Sequence, residues 1–202
     1  MLDSLTGQQI RNLERLAAYL DTLPPDYAHF DMVTFVQVSA GATYHDQVEY
    51  ARGASTRLLS VCGTVACAVG HGPAAGVPFA PSHIIGHQSD WTGYQLDWTA
   101  YSRQFCPVGL VFTFLFGEEW TFLDNTPQGA AARIRYVLAG RPLPSSVWSG
   151  AQQVPLNWSD LEDLDEKHYP ALRAVYAPYV ISAAAHSAVL CRPQSAPVTL
   201  SC

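Results

Sequence analysis

The stretch Val61-Cys62-Gly63-Thr64-Val65-Ala66-Cys67-Ala68-Val69-Gly70-His71-Gly72-Pro73 constrains the fold more than any other. Its side chains are small, it is uncharged while His71 is neutral, and Gly72-Pro73 closes it. Residues with little or no side chain let neighbouring backbone come close. The spacing predicts a short buried helix over 63–70, with Cys62 at or just before its first turn and the rest of the chain packed around it.

Hydrophobic residues make up 49% of the chain and charged residues only 14%, which excludes disorder and leaves enough apolar surface for a sizeable core. A length of 202 residues suits one domain, expected over 1–190, with a Pro/Ser tail over 191–202. The net charge is −6 and no basic cluster exists, so sequence-independent nucleic-acid binding is not expected. No apolar run approaches the roughly 18 residues of a membrane span. The opening Met-Leu-Asp-Ser leads into an amphipathic pattern unlike a signal peptide. The expectation is a cytoplasmic chain without membrane association, its cysteines reduced. Five cysteines without a CxxC pair indicate neither a disulfide framework nor a zinc ribbon.

Helical signals dominate the rest, and the predicted fold class is mainly α, compact and loop-rich. Thr6 with Gln9 is a capping-box pattern, followed by Ile10, Leu13, Leu16, Ala17 and Leu20 at helical spacing and a stop at Pro24-Pro25. Residues 29–38 suit a strand or a short helix capped by Asp31. Residues 39–60 read as a long loop with room for a helical turn around 46–52. Phe112 to Phe116 form a short buried element turning at Gly117. Asn125-Thr126-Pro127 starts a helix with Ala131, Ile134, Val137 and Leu138 inward, Arg133 and Arg135 flanking, and Gly140 at its end. Residues 141–157 read as a loop, and Pro170 kinks or restarts a final helix.

Three groups carry candidate chemistry. On a continuous helix Cys67 and His71 are four residues apart and share a face, whereas Cys62 lies roughly 180° from His71 at about 100° per residue. His83 and His87, themselves four apart, or Cys106, would complete a tetrahedral zinc site and make the chain a small metal-binding protein. Trp91, Tyr94, Trp98, Tyr101 and Phe105 step by three or four along one helical face, as a core stripe or a binding shelf. Glu118-Glu119 reads as a solvated face.

Cys62 at a helix N-terminus would have its thiolate favoured by the helix dipole. With Cys62-Gly63 and the later His186-Ser187-Ala188-Val189-Leu190, the order resembles bacteriocin-processing cysteine peptidases. That resemblance implies a cysteine-dependent hydrolase with Cys62 as nucleophile and His186 as its base. It departs from the family in having no glutamine shortly before Cys62 and no Asp after His186. A broader set of residues runs from Asp31-Met32 through Cys62-Gly63-Thr64, Ala66-Cys67 and Gly70-His71 to Asn125-Thr126-Pro127 and Arg133-Ile134. Over residues 30–140 this is similar to a group of small bacterial and phage proteins without an assigned activity, and implies a shared ancestry and a compact helical fold. No complete catalytic set, cofactor fingerprint or phosphate loop is present. The function expected is that of a phage-encoded accessory protein that binds a protein partner and needs no cofactor.

Overall fold

The computed structural model describes residues 4–33, 35–37, 42–60, 64–85, 95–158 and 164–181. Helices α1 (Gly7–Leu20), α2 (Tyr44–Ala51), α3 (Arg57–Ser60), α4 (Trp98–Ser102), α5 (Leu110–Phe116), α6 (Trp120–Leu123), α7 (Pro127–Leu138) and α8 (Tyr169–Tyr176) make the fold mainly α. Short strands β1 (Val36–Gln37), β2 (Val65–Ala66), β3 (Ile84–Ile85), β4 (Gln95–Leu96), β5 (Ser146–Ser149) and β6 (Gln152–Pro155) pair in order as three antiparallel two-stranded sheets.

Local chemistry sets the helix ends. The Thr6 hydroxyl accepts from the Gln9 backbone N–H while the Gln9 side chain accepts from the Thr6 N–H, closing the expected capping box of α1. Thr43 and Asp46 build the same device on α2, so the helical turn expected around 46–52 is a full eight-residue helix that starts two residues earlier. Thr126 caps α7 with Pro127 in its first turn, and Gly140 (φ 71°) follows its end in the left-handed region. Pro170 stands in the first turn of α8, so it restarts the helix there.

A hydrophobic cluster gathers Leu13, Leu16 and Leu20 of α1, Ile134 and Val137 of α7, Phe114, Trp120, and Leu172 and Tyr176 of α8. Arg135 forms an ion pair with Asp21, fastening α7 to the end of α1. The Gln9 and Asn12 side chains donate to the carbonyls of Arg103 and Gln104.

The stretch 64–73 is buried as its small side chains require, with only Val65 half-buried. Its backbone differs from expectation, because no helix forms over the described part of 63–70. Val65–Ala66 is strand β2, paired as Val36↔Ala66 and Gln37↔Val65, and Val69–His71 is a single 3-10 turn. The extended form wins because its hydrogen bonds go to distant backbone. The Ala66 N–H donates to His29 O, and Ala66 O accepts from the Asp31 N–H. Thr64 and Val65 are β-branched and favour that choice.

Two further expectations change. The aromatic residues 91–105 do not form one helix, since β4 precedes α4 and Asp97 starts α4 by accepting from the Ala100 N–H. Residues 146–155 are a hairpin and not a loop. Gly150 (φ 62°) supplies its tight turn, and Val147 (buried) alternates with Trp148 (exposed) at strand period. The expected tail 191–202 lies outside the described residues.

Candidate functional site

A cleft of about 380 Å³ opens between the segment before β1 and the C-terminal end of α5. Met32, Val33 and Phe35 form one wall, Phe112, Thr113 and Phe116 the other, and Cys67 lies between them. Gly117, Glu118 and Glu119 form its acidic edge. The spacing of α5 makes this wall: Phe112 and Phe116 are four residues apart, share a helix face and meet edge to face at 5.5 Å. Phe35 is braced from behind by Trp98, whose ring stacks on it at 6.0 Å. Gly117 turns the chain out of α5 in an extended conformation (φ −58°, ψ 150°) that leaves no room for a side chain, since a Cβ there would meet Thr113 O at 2.7 Å. That turn swings Glu118 and Glu119 to the cleft. Glu118 is exposed, whereas one Glu119 carboxylate oxygen is buried with no hydrogen-bond partner among the described residues.

Cys67 is a neutral thiol at this site. Burial pushes its pKa up to about 11, against smaller downward pulls from the backbone at Gly70 and Val69. Cys106 is likewise buried and its pKa is pushed up to about 12 by desolvation. Neither thiol offers a thiolate at neutral pH.

His71 lies in an aromatic cage, 5.7 Å from a stacked Phe30 and 5.9 Å from each of Tyr19 and Tyr27. It is fully buried and neither ring nitrogen has a hydrogen-bond partner among the described residues. Burial pushes its pKa down to about 4, against a smaller upward pull from backbone at His29 and Ala66. As pH falls below about 6.5 the unfolded chain takes up the proton first, and the folded chain does so only near pH 4. Stability present above pH 6.5 is therefore lost as pH falls, by about 3 kcal/mol between pH 7 and 4. Urea unfolding of wild type and His71→Phe at both pH values measures this. The variant's loss is expected to be smaller by that amount, and equal losses would refute the assignment.

A third buried group escaped the sequence reading. Arg133 does not flank α7 at the surface but is 0% exposed. Its guanidinium lies 3.9 Å from the Trp120 ring centroid and 5.6 Å from that of Tyr176. Asp124 approaches it at 3.9 Å and accepts hydrogen bonds from Tyr176 and Thr126. Desolvation pushes the Arg133 pKa down, while Tyr176 and Asp124 pull it back up.

The structure places the expected site residues as follows. Cys67 and His71 belong to one buried segment, but only Cys67 lines the cleft. His83 ends a 3-10 turn, Pro81–His83, that leads straight into β3, so no helix pairs it with His87. No group of three or more His, Cys, Asp or Glu gathers to hold a metal among the described residues. Tyr101 is buried, stacked on Phe79 at 3.9 Å with its hydroxyl donating to Val77 O at 2.5 Å. Trp98 is half-buried behind Phe35. Cys62, His87, Trp91, Tyr94 and His186 lie outside the described residues. Among those residues, no helix is long and apolar enough to cross a membrane.

The sequence reading missed the cleft residues Met32, Phe35, Phe112 and Phe116. The signal available was the abrupt change from Phe112-Thr113-Phe114-Leu115-Phe116 to Gly117-Glu118-Glu119, which sets apolar and acidic groups side by side. Comparisons with protein-family models, with curated proteins and with solved structures find no match.

Proposed function

We propose that this chain is a cytoplasmic accessory protein, phage-encoded and built as a single domain, that acts by binding a protein partner at the cleft between Met32–Phe35 and Phe112–Glu119. The observation that supports the reading is the cleft itself: it is lined by the half-buried Phe35 and Phe112, by the buried Phe116, Met32 and protonated Cys67 thiol, and by the exposed Val33, with carboxylates on one edge. Concave apolar surface with a few polar groups is the usual form of a binding site. The thiol within it lacks the ionised form a nucleophile needs.

Site-specific photocrosslinking tests the reading. Val33 is 54% exposed at the cleft wall and accepts benzoylphenylalanine without disturbing the core. Irradiation in the cells that express the chain is expected to give a discrete protein adduct from Val33 and none from the exposed control position Arg11. The identified protein, once purified, is then expected to bind wild type and not Val33→Arg. Equal adducts from both positions, or binding unaffected by Val33→Arg, would overturn the reading.

A further inference from the structure

We infer that the cleft receives a partner segment presenting an apolar side chain with a lysine or arginine one or two residues away, an inference that rests on the binding reading above. The walls determine the first half of that chemistry. Phe35, Phe112 and Phe116 face a space of about 380 Å³, near the lower end of ligand-sized pockets. That is room for one or two side chains and not for a folded surface.

Charge determines the second half. Among the described residues no lysine, arginine or histidine lines the cleft, while Glu118 and Glu119 both do. Asp31 adjoins Met32 and holds the Val33 N–H and the Asn125 amide with its carboxylate. Among the described residues none of these three carboxylates is in an ion pair, although five other acid–base pairs form. The buried Glu119 oxygen has no hydrogen-bond donor among the described residues, a costly state for a carboxylate. A cation delivered by the partner would be attracted by the exposed Glu118, by the charge of Glu119 and by the phenylalanine faces of the cleft. An acidic segment would be repelled at the same place.

Peptide titrations of the full-length, ¹⁵N-labelled chain test this. The probes are acetyl-Gly-Leu-Phe-Arg-Gly-amide and the same peptide with Gln or Glu in place of Arg. The arginine peptide is expected to shift the amides of Thr113, Gly117 and Glu118 saturably. The glutamine peptide is expected to bind about tenfold more weakly, and the glutamate peptide more weakly still. Glu118→Lys, a change at an exposed position, is expected to narrow the gap between the arginine and glutamate peptides, because Asp31 and Glu119 remain, while leaving the melting temperature in place. Equal affinity of all three at these amides would overturn the inference yet leave the cleft as a binding site. Absence of any shift there, or shifts that track protein concentration without peptide, would also overturn it, the latter by naming a second copy as occupant. The Val33 crosslink tests the underlying reading independently of any peptide.

Discussion

Gly70→Ala is expected to cost more than about 3 kcal/mol and to lower the melting temperature by about 6–12 °C. A Cβ at this position would lie 1.8 Å from Phe35 O and 2.9 Å from the Ala66 Cβ. Neither neighbour is free to withdraw. Phe35 O accepts from the Cys67 N–H, and Ala66 is held in register with Val36. Gly70 itself is pinned by the Tyr50 hydroxyl, which donates to its carbonyl at 2.7 Å. The clash is therefore of the new Cβ against a fixed backbone carbonyl, and relief requires moving Phe35, just before β1, away from the 3-10 turn at Val69–His71. Gly76→Ala is the matched control. It has φ 78° but nothing within 4 Å of its added Cβ, so its cost is limited to the left-handed backbone penalty of about 1–2 kcal/mol. Thermal unfolding of both variants by circular dichroism decides the matter. If Gly70→Ala melts with or above Gly76→Ala, the close approach at Gly70 does not exist.

The second large effect is expected from Asp124→Ala, which should destabilise by about 3–5 kcal/mol. The substitution removes the carboxylate nearest a fully buried guanidinium, and also the acceptor of the Tyr176 and Thr126 hydroxyls. An uncompensated buried charge is what makes the loss large. Removing the charge as well should recover much of it, because a buried ion pair replaced by apolar groups of similar size is often tolerated. Arg133→Met in the Asp124→Ala background is thus expected to be more stable than Asp124→Ala alone. Urea unfolding of both singles and the double gives the coupling. Simple additivity of the two single losses would mean that Asp124 and Arg133 do not act as a pair.

The sequence is legible where structure is decided within a turn or two of chain. The Thr6–Gln9 box, the Thr126-Pro127 start and the Pro170 restart all resolve inside four residues, and each forms as read. Burial of 64–73 is also legible, since small uncharged side chains leave no reason to face water. Its conformation is not, because the groups that draw Val65–Ala66 into a strand belong to His29, Asp31 and Val36, about thirty residues earlier. Arg133 is misread for a related reason. Charge predicts exposure until an aromatic partner and a carboxylate are brought to it by α6 and α8, and neither is visible from α7. The cleft shows the same limit. Its acidic edge can be seen beside its apolar wall in residues 112–119, but the opposite wall arrives from residues 32–35, which carry no sign of their destination.

The clamp between α1 and α7 bears on how the chain is made. Asp21 and Arg135 are separated by 114 residues, and the Leu13–Leu16–Leu20 face of α1 is covered by parts of the chain that include α7. Synthesis at about 5–20 residues per second puts about 6–23 s between the two helices leaving the ribosome. For that interval the apolar side chains of α1 lack the cover that α7 supplies, and a segment of 14 residues has little helical stability of its own. A slower ribosome lengthens that exposure without altering the stability of the finished protein.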